Sequence, residues 1–355
     1  MKRYKLICEP ITPVHIGTGR ELDPLHYVIK DDRFLRTSPE LFYKSLSEDK
    51  KNTFMDLIEE DNFLQIRQFV AEHLPSEAVI YSANVSPMVL KTYRAKLDNI
   101  NNQLLIGEMI RNLRTSAPII PGSSLKGAIR TAIVSGIASE LSIDTNRRGW
   151  IPNFEKNVLK YKDAKSDPFR AIQITDCEIF GNNTNSVSEF YNFKENRRGG
   201  DDLAQMQMIK EHITGSISGG DSQGEAVLTI HEELFTFRNS LGRWEPLGVE
   251  IDIEFIMEHV FDFYMNNFKK EYDKFYKNSR NKDIKTQADK IMGILEEIEQ
   301  HSEQLLLRVG RFSQVENVTV EKYRQPDKRV YGTTRNLSEE YLPAGLIKIT
   351  VSELE

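Results

Sequence analysis

Residues 118 to 130, Pro-Ile-Ile-Pro-Gly-Ser-Ser-Leu-Lys-Gly-Ala-Ile-Arg, contain the parts of an anion-binding helix start. Pro118, Pro121 and Gly122 end an extended run, Ser123 or Ser124 can cap the first turn, and the unbonded amide hydrogens of that turn point outward. Lys126 and Arg130 stand four residues apart, so they share a helix face and add positive charge beside the amides. A phosphate fits such a corner. The same residues equally describe a plain cap on a core helix running to about Ser139. The glycines enclose Ser123 to Lys126 without the order of an NTPase phosphate loop, which argues against that class.

His15 is the second candidate. An early histidine can serve as general base toward a ribose 2′-hydroxyl, which would make the chain a metal-independent endoribonuclease; a structural or RNA-contact role fits the residue as well. The groups nearest in sequence, His26 and Arg20, have no spacing that fixes an acid-base pair. The remaining histidines have no metal-ligand spacing, and Asp201 and Asp202 lack a third ligand, so no metal or cofactor is expected. Cys8 and Cys177 lie far apart, which suggests neither a zinc site nor a disulfide framework. That usage, a polar start from Met1 to Glu9 and the lack of any run of about 18 uncharged apolar residues predict a cytoplasmic protein with no membrane span.

The chain has 355 residues with 47 Lys and Arg against 53 Asp and Glu, a net charge of -6, which argues against a general polyanion binder. The distribution is uneven. Residues 91 to 130 carry +5 and residues 308 to 335 carry +4, leaving -15 elsewhere. An acidic body with two basic segments suits a groove binder, although solvated faces would give the same windows.

The elements that must hold these residues read as follows. Residues 3 to 11 alternate as a strand, Gly17-Thr18-Gly19 turns, and Leu25–Lys30 pairs with Arg33–Thr37 across Asp31 and Asp32. Helical spacing covers 39 to 46, 53 to 73, about 124 to 141, and short turns near 154 to 161. Strands are predicted at 171 to 175, 187 to 193, 203 to 212 and 225 to 231, with a charged, glycine-rich tip at 194 to 202. Two long amphipathic helices, 252 to 277 and 284 to 305, form an antiparallel hairpin across 278 to 283, and short strands follow at 305 to 309, 318 to 322 and 346 to 351. Residues 104 to 113 could be strand or helix. The pattern fits an α+β, RRM-like or ferredoxin-like fold with helical insertions, or two tandem modules; a β-rich domain decorated with helices fits nearly as well. The expected division is 1–235 and 236–355.

Ile11-Thr12-Pro13-Val14-His15-Ile16-Gly17-Thr18-Gly19, followed in the middle of the chain by Ile119 to Arg130, resembles the RAMP superfamily of CRISPR-associated proteins. Gly17 to Leu25, Ile174-Thr175-Asp176 and Arg308-Val309-Gly310-Arg311-Phe312 resemble, within it, the Csm-type subunit that caps the 3′ end of the guide in type III-A effector complexes. The resemblance implies a RAMP fold and RNA binding without catalysis. It assigns Gly122, Ser123, Ser124, Lys126 and Arg130 to a guide-facing loop and helix, and His15, Gly17, Thr18, Gly19 and Arg20 to a glycine loop beside it. Arg308, Arg311 and Arg335 are the late candidates, and Tyr93, Phe312, Tyr323 and Tyr331 fit base stacking and core or rim packing equally. Implied partners are CRISPR RNA, other Csm-type subunits and a trimming nuclease. The rivals are the His15 endoribonuclease and a purely architectural subunit.

Overall fold

The computed structural model describes residues 1–99, 101, 103–141, 153–194, 202–320 and 332–354, with 202–207 as backbone only. Strand β1 (Lys2–Pro10) alternates in burial, as a half-buried strand requires. The chain crosses through residues 11–16 to β2 (Gly17–Leu22) and the hairpin of β3 (Tyr27–Lys30) and β4 (Arg33–Arg36). Its two-residue turn holds Asp31 and Asp32 at φ 50° and 57°, the left-handed pair that a tight hairpin demands. The helical region predicted for 53–73 divides, and the block is α1 (Pro39–Ser45), α2 (Glu48–Glu59) and α3 (Phe63–His73). Asp61 takes a φ of 51°, and Asn62 caps α3 by accepting from the Gln65 amide.

There follow β5 (Tyr81–Val85), α4 (Pro87–Lys96), β6 (Ile106–Met109), β7 (Ile119–Ile120), α5 (Gly122–Glu140), α6 (Phe154–Val158), β8 (Ile172–Ile174), β9 (Cys177–Asn182), β10 (Asn185–Lys194), β11 (Asp202–Ile213) and β12 (Asp221–Ile230). The last third holds β13 (Thr236–Arg238), β14 (Trp244–Pro246), α7 (Ile253–Glu271), α8 (Lys282–Ile298), β15 (Gln304–Arg308), α9 (Val315–Val318), β16 (Arg335–Ser338) and β17 (Leu346–Leu354). Val318, predicted to open a strand, instead closes α9. The tip at 195–201 lies outside the described residues, as does 321–331 with Tyr323 and Tyr331.

The first sheet runs β15-β17-β1-β12-β9-β7, with β8 beside β12, and each of these pairings is antiparallel. Taking β1, α5, β9, β12, α7 and β17 in chain order, the fourth strand lies beside the first, then the third, then the second. That is the ferredoxin-like order. Helices α5 and α7 cover it, packing Leu125, Ile129, Ile133, Ile256, Val260 and Phe268 into one core with Leu6, Leu228 and Leu306. Each such side chain is worth about 1.5–3 kcal/mol when fully buried. The second sheet runs β2-β6-β11-β10-β5-β4-β3, with β16 beside β10. Val89 and Tyr93 of α4 join Tyr27, Phe34 and Ile106 in its core, and α1–α3 close a third cluster around Phe42, Phe54 and Phe69. The fold is α+β with two sheet modules. Strands β15 and β17 complete the first sheet and β16 extends the second, so the expected division at 235/236 falls between strands that share sheets.

Candidate nucleic-acid interface

The start of α5 does bind an anion, and the anion is the chain's own. The Gly122 amide donates to Asp176 Oδ1 at 2.8 Å. A Cβ at Gly122 would lie 2.1 Å from the Ile174 carbonyl oxygen, so glycine is needed for α5 to close on the end of β8. Pro121 occupies the cap position with no side-chain cap, and its carbonyl accepts from the Ser124 and Leu125 amides at 2.9 and 3.2 Å. Neither serine is therefore the cap expected from sequence. Ser123 is exposed and Ser124 half-buried.

Both cations of this helix face are engaged inside the chain. Lys126 Nζ donates to the Ile172 carbonyl at 2.7 Å, and burial lowers its pKa. Arg130 pairs with Glu155 and, at 2.9 Å, with Asp167; it donates to the Tyr161 hydroxyl at 3.1 Å and lies over the Phe169 ring at 4.7 Å. Gly122, Lys126 and Arg130, expected from sequence to grip a phosphate, thus each have a partner within the chain. A phosphate would have to displace carboxylates already seated, and the pair instead staples α5 to α6 and to the approach to β8.

Arg308 and Arg335, the late candidates, are likewise engaged within the chain. Each is no more than 2% exposed, and both guanidinium groups meet the buried Glu271 carboxylate, at 2.8 and 3.1 Å. Arg335 also pairs with Glu316 at 3.0 Å and lies over Phe275. The two arginines hold Glu271 ionised and its pKa low against the cost of burial, and the Tyr276 hydroxyl donates to it at 2.6 Å. Tyr93 and Phe312 are buried in hydrophobic clusters, so they are core residues rather than stacking platforms.

The segment leading into the glycine run at the start of β2 and the late loop, by contrast, meet. The segment leaving β1 is held on one side by β11, where Val14 and Ile213 exchange backbone hydrogen bonds at 3.0 and 2.8 Å. On the other side the Arg311 amide donates to the His15 carbonyl at 2.9 Å, and the Gly345 amide donates to that of Pro13 at 2.8 Å. Gly310 has a φ of 88°, and a Cβ there would lie 2.4 Å from the His15 carbonyl oxygen. This is the joint between the two sheets. Gly17, Thr18, Gly19, Arg20 and Arg311 are exposed at it. The Thr18 hydroxyl ties the loop down by donating to Glu108 Oε2 at 3.0 Å and accepting from the Arg20 amide at 3.1 Å.

A model of the RAMP superfamily matches residues 7–354. This chain belongs to the RAMP superfamily. The RAMP chain is 25% identical over 193 residues to "CRISPR system Cms protein Csm5" of Streptococcus thermophilus, 51% of this chain and 53% of that protein. It is 27% identical over 182 residues to the protein of the same description in Methanocaldococcus jannaschii, 48% of this chain and 41% of that protein. The matches thus span about half or less of those relatives. A chain of the "Cryo-EM structure of Csm-crRNA-target RNA ternary complex in type III-A CRISPR-Cas system" superposes with a TM-score of 0.65 at 18% identity, covering 99% of this chain and 100% of that one. The "Crystal structure of T.onnurineus Csm5" gives 0.59 at 18% identity, covering 96% and 99%. At these identities the superpositions establish the RAMP fold.

His15 sits beneath the glycine loop of this RAMP chain. Its ring is 5% exposed, Nδ1 donates to the Glu211 carbonyl at 2.6 Å, and a Cβ at Gly17 would lie 2.8 Å from Nε2. Burial, with Lys210 and Arg311 nearby, pushes its pKa down to about 4, so the ring is neutral at pH 7. The ring lies directly beneath Gly17. Sequence reading missed Glu211, which is fully buried and accepts from Arg111 at 3.1 Å, Tyr81 at 2.8 Å and the Met109 amide at 2.9 Å. The alternation of β11 could have flagged it, because Glu211 falls on the inward face with Ile209 and Ile213. Among the described residues no helix is long and apolar enough to cross a membrane, and no group of three His, Cys, Asp or Glu could hold a metal ion.

Proposed function

We propose that this chain is a non-catalytic, RNA-binding subunit of a type III-A CRISPR effector complex of the cytoplasm, holding the 3′ part of a CRISPR RNA. The observation that carries this reading is the joint between the sheets, where exposed Gly17–Arg20 and exposed Arg311 flank the same His15 backbone. Small residues let a ribose-phosphate backbone approach closely, and two arginines supply charge without reading bases. The descriptions of the relatives support the choice of complex. The partners are then CRISPR RNA, neighbouring Csm-type subunits and a trimming nuclease.

Arg20→Ala with Arg311→Ala, in the assembled complex, tests the reading. We expect weaker CRISPR RNA binding that is equal for unrelated spacers, with the log-log salt slope reduced by about 1.4 for two lost phosphate contacts on a single strand. Unchanged affinity and slope would remove the joint from the RNA path. Incubating the purified chain with repeat RNA in chelator separates the endoribonuclease reading. We expect intact RNA, and cleavage that disappears in His15→Ala would replace the binding role with catalysis.

A further inference from the structure

The helical block α1–α3, which the RNA reading does not use, has an apolar groove with an acidic lip. Phe42, Phe54, Ile66 and Val70 form its buried floor, and the cavity is about 240 Å³. Ile58 and Phe63 stand at its mouth, 42% and 55% exposed. Leu41, Tyr43 and Met55 are also exposed on the same block. Five large apolar side chains thus stand exposed within 23 residues, and contiguous exposed apolar surface marks binding faces.

Charge decides what the face accepts. Asp61 lines the groove, and Asp56 and Glu59 in the last turn of α2 and Glu60 just after it are exposed. None of these four carboxylates has an ion pair among the described residues, whereas Lys44 and Lys51 of the same block are bound to Glu40 and Glu48 at 2.5 and 2.7 Å. Residues 39–73 carry eight carboxylates against four cations. That lip repels a nucleic-acid backbone and attracts Lys and Arg.

We propose that this groove docks a basic amphipathic helix of a partner protein, with bulky apolar side chains at successive turns entering between Ile58 and Phe63 and its Lys or Arg residues meeting Asp56, Glu59, Glu60 and Asp61. An apolar slot with an acidic rim suits the helix-in-groove mode of recognition. The proposal does not depend on the RNA reading.

The test is fluorescence anisotropy of the full chain with a labelled synthetic peptide carrying Leu at i, i+4 and i+7 and Lys elsewhere. Controls are a scrambled peptide and one with Glu replacing Lys. We expect the Lys peptide to bind about tenfold or more tighter than either control. Ile58→Ser with Phe63→Ser, both at exposed positions, should remove at least that factor with the melting temperature held, and Glu60→Lys with Asp61→Lys should shift preference to the Glu peptide. Equal binding of the scrambled peptide overturns the proposal, as does unchanged binding by the variants. So do displacement of the peptide by RNA, and self-association in sedimentation that Ile58→Ser abolishes, which would make a second copy the occupant.

Discussion

At the scale of single residues, charge alone misleads and partners decide. Lys126 and Arg130 resemble phosphate ligands in sequence, but the carbonyl of Ile172 and the carboxylates of Glu155 and Asp167 already engage them. Arg130→Ala should therefore cost about 1–2 kcal/mol of stability, discounted for its partial exposure. It should leave RNA affinity of the folded protein unchanged; lost binding at an unmoved melting temperature would return Arg130 to the RNA surface. Histidine gives a pH signature. His15 and His212 are both held near a pKa of about 4 by burial, below the 6.5 of an unfolded chain. The unfolded state then binds more protons, so stability is complete above pH 6.5 and is lost as pH falls toward 4, by about 3 kcal/mol per histidine. Thermal melts from pH 7 to 4 should show this slope, and His212→Gln should flatten it. A parallel pair of curves would mean that His212 takes its proton in the fold.

At the scale of elements, the joint depends on backbone geometry. Gly310 and Gly19 both have positive φ, 88° and 85°, yet only Gly310 has a carbonyl where a Cβ would go. Gly310→Ala should destabilise by about 1–3 kcal/mol and displace Arg311, whereas Gly19→Ala should cost about 1 kcal/mol or less. Equal melting temperatures would show that the late loop is not wedged against His15. The contrast marks what was readable in advance. Local features were: the Asp31-Asp32 hairpin, the alternation of β1 and β12, and the apolar stripes of α5, α7 and α8. The Glu271, Arg308 and Arg335 cluster was not, because its members come from α7, β15 and β16 and no periodicity links them. Replacing Glu271 by Gln should lower the melting temperature at a cost of about 3–5 kcal/mol, since Arg308 would stay buried without its counter-charge and Arg335 would keep only Glu316.

At the scale of the whole molecule, the fold explains why the early and late sequence motifs belong together. Strand β1 pairs with β17, and the connection out of β1 is clasped by the loop after β15, so residues almost a chain length apart build one joint. The mid-chain motif packs α5 on the first sheet, and the proposed RNA path runs by Gly17–Arg20 and Arg311. Photo-crosslinking of the assembled complex to its CRISPR RNA, with peptides identified by mass spectrometry, tests that assignment most directly. We expect crosslinks at residues 17–20 and 310–311 and none at 122–130. Crosslinks confined to 122–130, or no crosslink anywhere on this chain, would contradict it.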